Sequence, residues 1–254
     1  MYRWLPVVLV LASCAPKTAA TPSPATSAET PPAETQPAAS APVLNLPPPA
    51  HDSDTVVQMH AWLQSAETAR THLTHGDLES AKEAAAAMAA SPSPDGIPPG
   101  WRPFAADLLV EATALAAAQN AQEAGGHLGQ MALACGTCHT EAGVLEQVKL
   151  AALPQEMYDE DVRMDNHQWG SDWMWFGLVT NSADAYRLGA AVFTSENLPA
   201  PTQVVSGTDL MPLLGEVAAV AARAAAAEDD EQRAAHYGEL LASCAACHSV
   251  QMTE

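Results

Sequence analysis

Two stretches decide the fold: HLGQMALACGTCH at residues 127–139 and HYGELLASCAACH at residues 236–248. A shift of 109 sets His127 on His236, Gly129 on Gly238, Cys135 on Cys244, Cys138 on Cys247 and His139 on His248, with Pro103 falling on Pro212. Further upstream a shift of 107 sets His60 on His167, Trp62 on Trp169 and Asp77 on Asp184. The change of two falls in a Pro/Gly-rich loop, where length changes are tolerated. Chance does not match that many rare residue types, so the chain beyond residue 50 is one unit written twice.

Each unit reads as four helices. In the first, Val56, Met59, Leu63, Ala66 and Leu73 form an apolar stripe of helical period over Asp54–Thr74. Gly76 breaks it and Asp77 caps the Ala-rich stretch 78–90. After a Pro-rich loop at 91–100, Pro103 starts a third helix where Pro is tolerated, and a fourth runs to His139. The second unit repeats the pattern over 154–180, 184–194, 211–227 and 229–248. No alternating strand pattern is present. The expected class is all-α: two tandem four-helix bundles, residues 51–150 and 151–254, each with its Cys-x-x-Cys-His at the C-terminal end.

Composition agrees. Aromatics are only 5% and Ala dominates the apolar runs, so the cores are built from small side chains on helices, where Ala has the best propensity. Against 10 basic residues stand 30 acidic ones, a net charge of −20. That balance argues against nucleic acid and anionic membrane surfaces and favours partners with basic patches.

The first 50 residues stand outside the repeat. Arg3 precedes an apolar run to Leu11 that is too short for a membrane-spanning helix, which needs about 20 apolar residues, and so residues 1–13 read as an export signal. Leu11-Ala12-Ser13-Cys14 resembles a bacterial lipobox, which implies a lipidated Cys14 as first residue of the mature chain. The several acyl chains implied by that resemblance are enough for stable anchoring. Residues 14–50 hold ten of the 20 prolines among Ala, Thr and Ser, the composition of an extended disordered tether. Ala15 rather than Asp follows Cys14, which by the rule for such signals favours the outer membrane, with the folded part facing the periplasm.

The chemistry lies in Cys135-Gly136-Thr137-Cys138-His139 and Cys244-Ala245-Ala246-Cys247-His248. Two Cys three apart on a helix share a face and can bond the vinyl groups of a haem, with the following His as axial iron ligand. A zinc site needs two further ligands in the same domain, and a thioredoxin-like pair needs a βαβ setting. Two covalent haems c use four cysteines, and lipid on Cys14 uses the fifth, so the odd count closes.

Motif position narrows the class. Ordinary small cytochromes c carry the motif early and take a Met from the chain behind it, whereas only six residues follow His248. A four-helix bundle with the motif on its last helix resembles the cytochrome c′ family and its six-coordinate relatives, here twice in tandem. Two departures stand out: each unit is shorter than that family's domain, and no Arg closely follows the haem His. In that family the first helix covers the other face of the ring, with an apolar residue or a ligand. The repeat pairs His60 with His167, which makes them the candidate sixth ligands; Met59 and Met164 are the alternatives. Met211-Pro212 resembles the Met-Pro ligand loop of ordinary cytochromes c, but Pro212 matches Pro103, so Met211 is expected to pack at a helix start.

The expected function is a membrane-anchored dihaem cytochrome that passes single electrons outside the cytoplasm to or from proteins with basic patches. The alternative is binding or sensing of a diatomic gas at a vacant or weak sixth site. No acid/base constellation points to a peroxidase, so an electron carrier is expected rather than an enzyme.

Overall fold

A computed structural model describes residues 54–91, 97, 99–142, 163–194 and 211–251, the side chains of 163–165 and 251 excepted. Cys14, the signal segment and the tether lie outside the described residues. Eight α-helices follow one another: α1 Asp54–Thr74, α2 Leu78–Ala89, α3 Arg102–Ala116, α4 Ala121–Glu141, α5 Arg163–Val179, α6 Ala183–Ala191, α7 Met211–Ala226 and α8 Asp230–Gln251. A 3-10 turn, Pro99–Trp101, leads into α3. The class is all-α, with no strand among the described residues.

Short polar residues start the helices as their chemistry requires. Asp77 accepts from the Ser80 amide at 3.0 Å, Asn120 from the Glu123 amide at 2.9 Å, Ser182 from the Ala185 amide at 3.3 Å and Asp229 from the Gln232 amide at 2.8 Å. Pro103 and Pro212 both sit in a first turn, of α3 and α7. Met211, expected to pack, is instead 51% exposed, because its helix opens toward solvent at that end.

Within each half of the chain, consecutive helices pack on one another. The most extensive packing, however, joins the halves: α4 lies along α8, the two helices that carry the motifs. Small residues make the approach possible. A Cβ on Gly238 would stand 2.6 Å from the Gly125 carbonyl oxygen, and one on Gly129 would run into the Ala234 carbonyl. In addition α1 packs on α8, and α5 on α4. All eight helices therefore belong to one unit, within Ala38–Glu254, and one apolar cluster runs from Trp62 to Ala245. Alanines fill much of it, but the largest fully buried side chains, Trp175, Tyr186, Tyr237 and Phe193, all belong to the C-terminal half.

The ends of α1 and α5 reveal a register that the sequence repeat did not. Gly76 has φ +80° and Asn181 φ +50°, the left-handed residue that closes a helix. Around them the Asp77 amide donates to the His72 carbonyl at 2.9 Å, and the Ser182 amide to the Gly177 carbonyl at 2.7 Å. These are the same terminal loop. Counted from it, Thr74 corresponds to Val179 and Leu73 to Leu178, a shift of 105 rather than 107. In that register the counterpart of Met59 is Met164, seventeen residues before the left-handed residue in each case, and the counterpart of His167 is Trp62. Matching rare residues had favoured a shift two residues longer; backbone closure is the physical constraint and decides the register.

Candidate functional site

Each motif occupies the C-terminal part of its helix, α4 or α8, and borders an open cleft. In both pairs the three-residue spacing sets the two cysteines on one helix face. The first cleft takes Met59, Trp62 and Leu63 from α1, Phe104 and Leu108 from α3, and Cys135, Cys138 and His139 from α4. It also takes Val179, from the far end of α5. Counting space open to solvent it holds about 630 Å³, and the second about 1170 Å³. The second cleft is bordered by His167, Gln168 and Ser171 of α5, Leu214 and Val217 of α7, and Cys244, Cys247 and His248 of α8. Thr74 and His75, at the end of α1, reach into it from the other half.

Each motif histidine borders a cleft that also takes the closing end of a helix from the other half. Nδ1 of the buried His139 lies 2.9 Å from the Val179 carbonyl oxygen. A carbonyl only accepts, so Nδ1 carries the proton and the lone pair is on Nε2. His248 borders the second cleft together with Thr74, whose backbone favours the protonated ring. Burial lowers the basicity of both rings; the Val179 and Thr74 backbones oppose it, and at His248 the nearby His75 adds to the lowering. The His75 and His248 ring centroids are 5.4 Å apart.

The four cysteines form no disulfide. Burial, and then the neighbouring thiol, pushes Cys135 and Cys244 up to about 12, and burial also raises Cys138 and Cys247. They are neutral thiols. Among the described residues no three His, Cys, Asp or Glu side chains gather to hold a metal ion by themselves.

Compared with protein-family models, curated proteins and solved structures, the chain matches none. Its residues must carry the functional reading alone.

Of the candidates for the opposite face, Met59 borders the first cleft while His60, one residue or about 100° around the helix, is exposed. His167 borders the second cleft, its ring 5.3 Å from that of Phe193. Met164 lies in the first turn of α5, one turn before His167. Elsewhere, His127 bonds Glu111 at 2.8 Å and His236 bonds Glu239 at 3.3 Å, which fixes both on acidic partners.

Sequence reasoning missed Thr74 and Val179, since a backbone acceptor leaves no trace in residue identity. A signal existed at the helix ends: Leu73-Thr74-His75-Gly76-Asp77 and Leu178-Val179-Thr180-Asn181-Ser182 both end in a left-handed former followed by a cap residue.

No helix among the described residues is long and apolar enough to cross a membrane.

Proposed function

We propose that the chain is a dihaem cytochrome c, built as two cytochrome c′-like four-helix bundles fused through α4 and α8, that carries single electrons in the bacterial envelope. One observation carries this reading: at both motifs, two thiols on one helix face and the imidazole that follows them border the same cleft, and at the first that imidazole is fixed as its Nδ1–H tautomer. The apolar walls at the first motif and the larger cleft at the second suit a covalently attached porphyrin. A bound haem supplies a one-electron iron couple.

The chain's own residues would hold and tune it. Cys135, Cys138, Cys244 and Cys247 attach the two groups, and His139 and His248 present Nε2 as axial donors. Met59 is the sixth ligand at the first site, supported by its place on the cleft wall. At the second, Met164 is taken as the ligand because it is the counterpart of Met59 in the backbone register, with His167, which borders the cleft, as the rival. Two Met-His sets give higher potentials than two bis-His sets would. Lipid on Cys14 and the tether at 14–50 would hold the unit at the outer membrane facing the periplasm, and the −20 charge favours a redox partner with basic patches.

The test is direct. Protein produced in a bacterial envelope should gain the mass of two haems and, once reduced, show low-spin absorption bands that carbon monoxide leaves unchanged. A high-spin spectrum that shifts with the gas would replace electron transfer by gas binding, and an unmodified mass would reject the cofactor.

A further inference from the structure

We propose that each half of the chain supplies the hydrogen-bond acceptor that orients the iron-binding imidazole of the other half, so that neither site is complete without the opposite helix end. The inference rests on the haem reading above for its redox consequence, but its geometry stands by itself.

The arrangement is reciprocal. His139 on α4 donates to Val179 at the end of α5, and the end of α1 stands in the matching place at the second site, where Thr74 and His75 border the cleft of His248 and the His75 ring centre lies 5.4 Å from that of His248. Val179 and Thr74 are the same residue of the same terminal loop, each two places before the left-handed residue. Val179 also borders the first cleft, and Thr74 the second. One glycine opens each crossing, on opposite partners. At the first it is Gly136, inside the motif, whose Cβ would collide with the Leu178 carbonyl. At the second the motif carries Ala245, and the missing side chain is that of Gly76, whose Cβ would stand 3.2 Å from the Ala245 carbonyl oxygen. The Asn181 amide group and the Thr140 hydroxyl, 2.9 Å apart, add a side-chain contact at the first crossing.

Such a bond does more than hold the ring. An imidazole that donates from Nδ1 is a stronger donor at Nε2 and favours the more positive metal state. The end of α5 thus tunes the first site and the end of α1 the second. A displacement of one half reaches the potential of the other without a ligand being touched.

Gly136→Ala tests this in the full chain. It converts the first motif to the Cys-Ala-x-Cys-His already present in the second, so attachment chemistry is retained, while the new Cβ displaces the Leu178–Val179 carbonyls. The expected result is an upward shift of the first midpoint potential and faster solvent exchange of the His139 Nδ1 proton, measured by nitrogen-15 histidine resonance, with His248 and the second potential unchanged. Ala245→Gly, which creates no clash, should move neither. A variant with unaltered exchange and unaltered potential overturns the proposal. If the variant does not fold, the unmodified protein decides: a His139 or His248 Nδ1 proton exchanging at the rate of a free imidazole also overturns it. If the chain carries no haem, the haem reading fails, and the exchange arm still tests the pinning in the haem-free protein.

Discussion

The Asp172 carboxylate on α5 lies 2.7 Å from the Arg70 guanidinium on α1, so a buried ion pair joins the first helix of one half to the first helix of the other. The guanidinium carbon stands 5.7 Å from the Trp175 ring centre, and Ser171 Oγ lies 3.4 Å from Arg70 Nη1 and 3.3 Å from the Tyr237 hydroxyl. Burial disfavours the charge on Arg70, but the Asp172 carboxylate beside it opposes this, and it remains a cation. Burial raises Tyr237, which stays a neutral phenol.

The two partners are not equally exposed, 8% for the Arg70 side chain and 16% for that of Asp172, and Gln168 also donates to Asp172 at 2.7 Å. Asp172→Ala strands a buried cation and should cost about 3–5 kcal/mol. Arg70→Met leaves a carboxylate that keeps a donor and some water, and should cost about 1–2 kcal/mol, nearer the loss of one charged hydrogen bond. Urea denaturation of both variants reads the difference. Equal losses, or a larger loss for Arg70→Met, would show that the pair is not limited by the desolvated arginine.

Neighbouring glycines on α4 should respond in opposite directions. A Cβ on Gly126 meets nothing within 4 Å, whereas Gly129 faces the Ala234 carbonyl of α8. Gly126→Ala should stabilise by about 0.5–1 kcal/mol through helix propensity alone. Gly129→Ala should destabilise by about 1–3 kcal/mol, the cost of overpacking, as α4 and α8 are driven apart. Gly238→Ala should behave like Gly129→Ala, and the double change should cost less than the sum because one separation relieves both clashes. Stabilisation by all three would mean that the helices do not touch along this seam.

Helix boundaries were legible because caps, prolines and apolar period all act locally. The extent of α1, from Asp54 to about Thr74, was readable, and Pro103 and Pro212 marked the starts of α3 and α7. The repeat of Gly129 and Gly238 was legible too, but not its meaning, since a glycine inside a helix reads as a weakness until another backbone is seen against it. The union of the halves was hidden for the same reason: α4 with α8 and His139 with Val179 are contacts between distant segments, made largely by backbone and alanine. The first-helix register was misjudged where His60 was set on His167, because side-chain identity outweighed the glycine and asparagine that close the helices.

Glu239 on α8 provides a pH test. Arg223 of α7 approaches it to 2.6 Å and His236 to 3.3 Å. Burial would raise its pKa, but the bonds from Arg223 and His236 outweigh that, so the folded value is depressed. A depressed carboxylate contributes stability above its unfolded value, about 4.3, and loses it as pH falls through the folded value. The group is 35% exposed, so the contribution at neutral pH is at most about 1 kcal/mol. The melting-temperature difference between the unmodified protein and Glu239→Gln should shrink as pH falls below about 4, below the range in which the partner His236 gains its own charge. A difference that grows as pH is lowered from about 4 to about 2 would reverse the sign and exclude this origin.

If the chain carries haem as proposed, the rivals for the sixth position sit one residue apart on α1 and one turn apart on α5. Met59 borders the first cleft and His60 is exposed. Met59→Ala should therefore leave one of two reduced haems able to bind carbon monoxide and lower the first potential, whereas His60→Ala should change neither. On α5 the register makes Met164 the counterpart of Met59, and His167 that of Trp62. Met164→Ala should open the second site to the gas, while His167→Ala should keep a six-coordinate spectrum with a modest shift in potential. If His167→Ala opens the site and Met164→Ala does not, the second site is bis-His. The two potentials would then be expected to differ, the Met-ligated first site lying higher, and electrons would run from the C-terminal half to the N-terminal one.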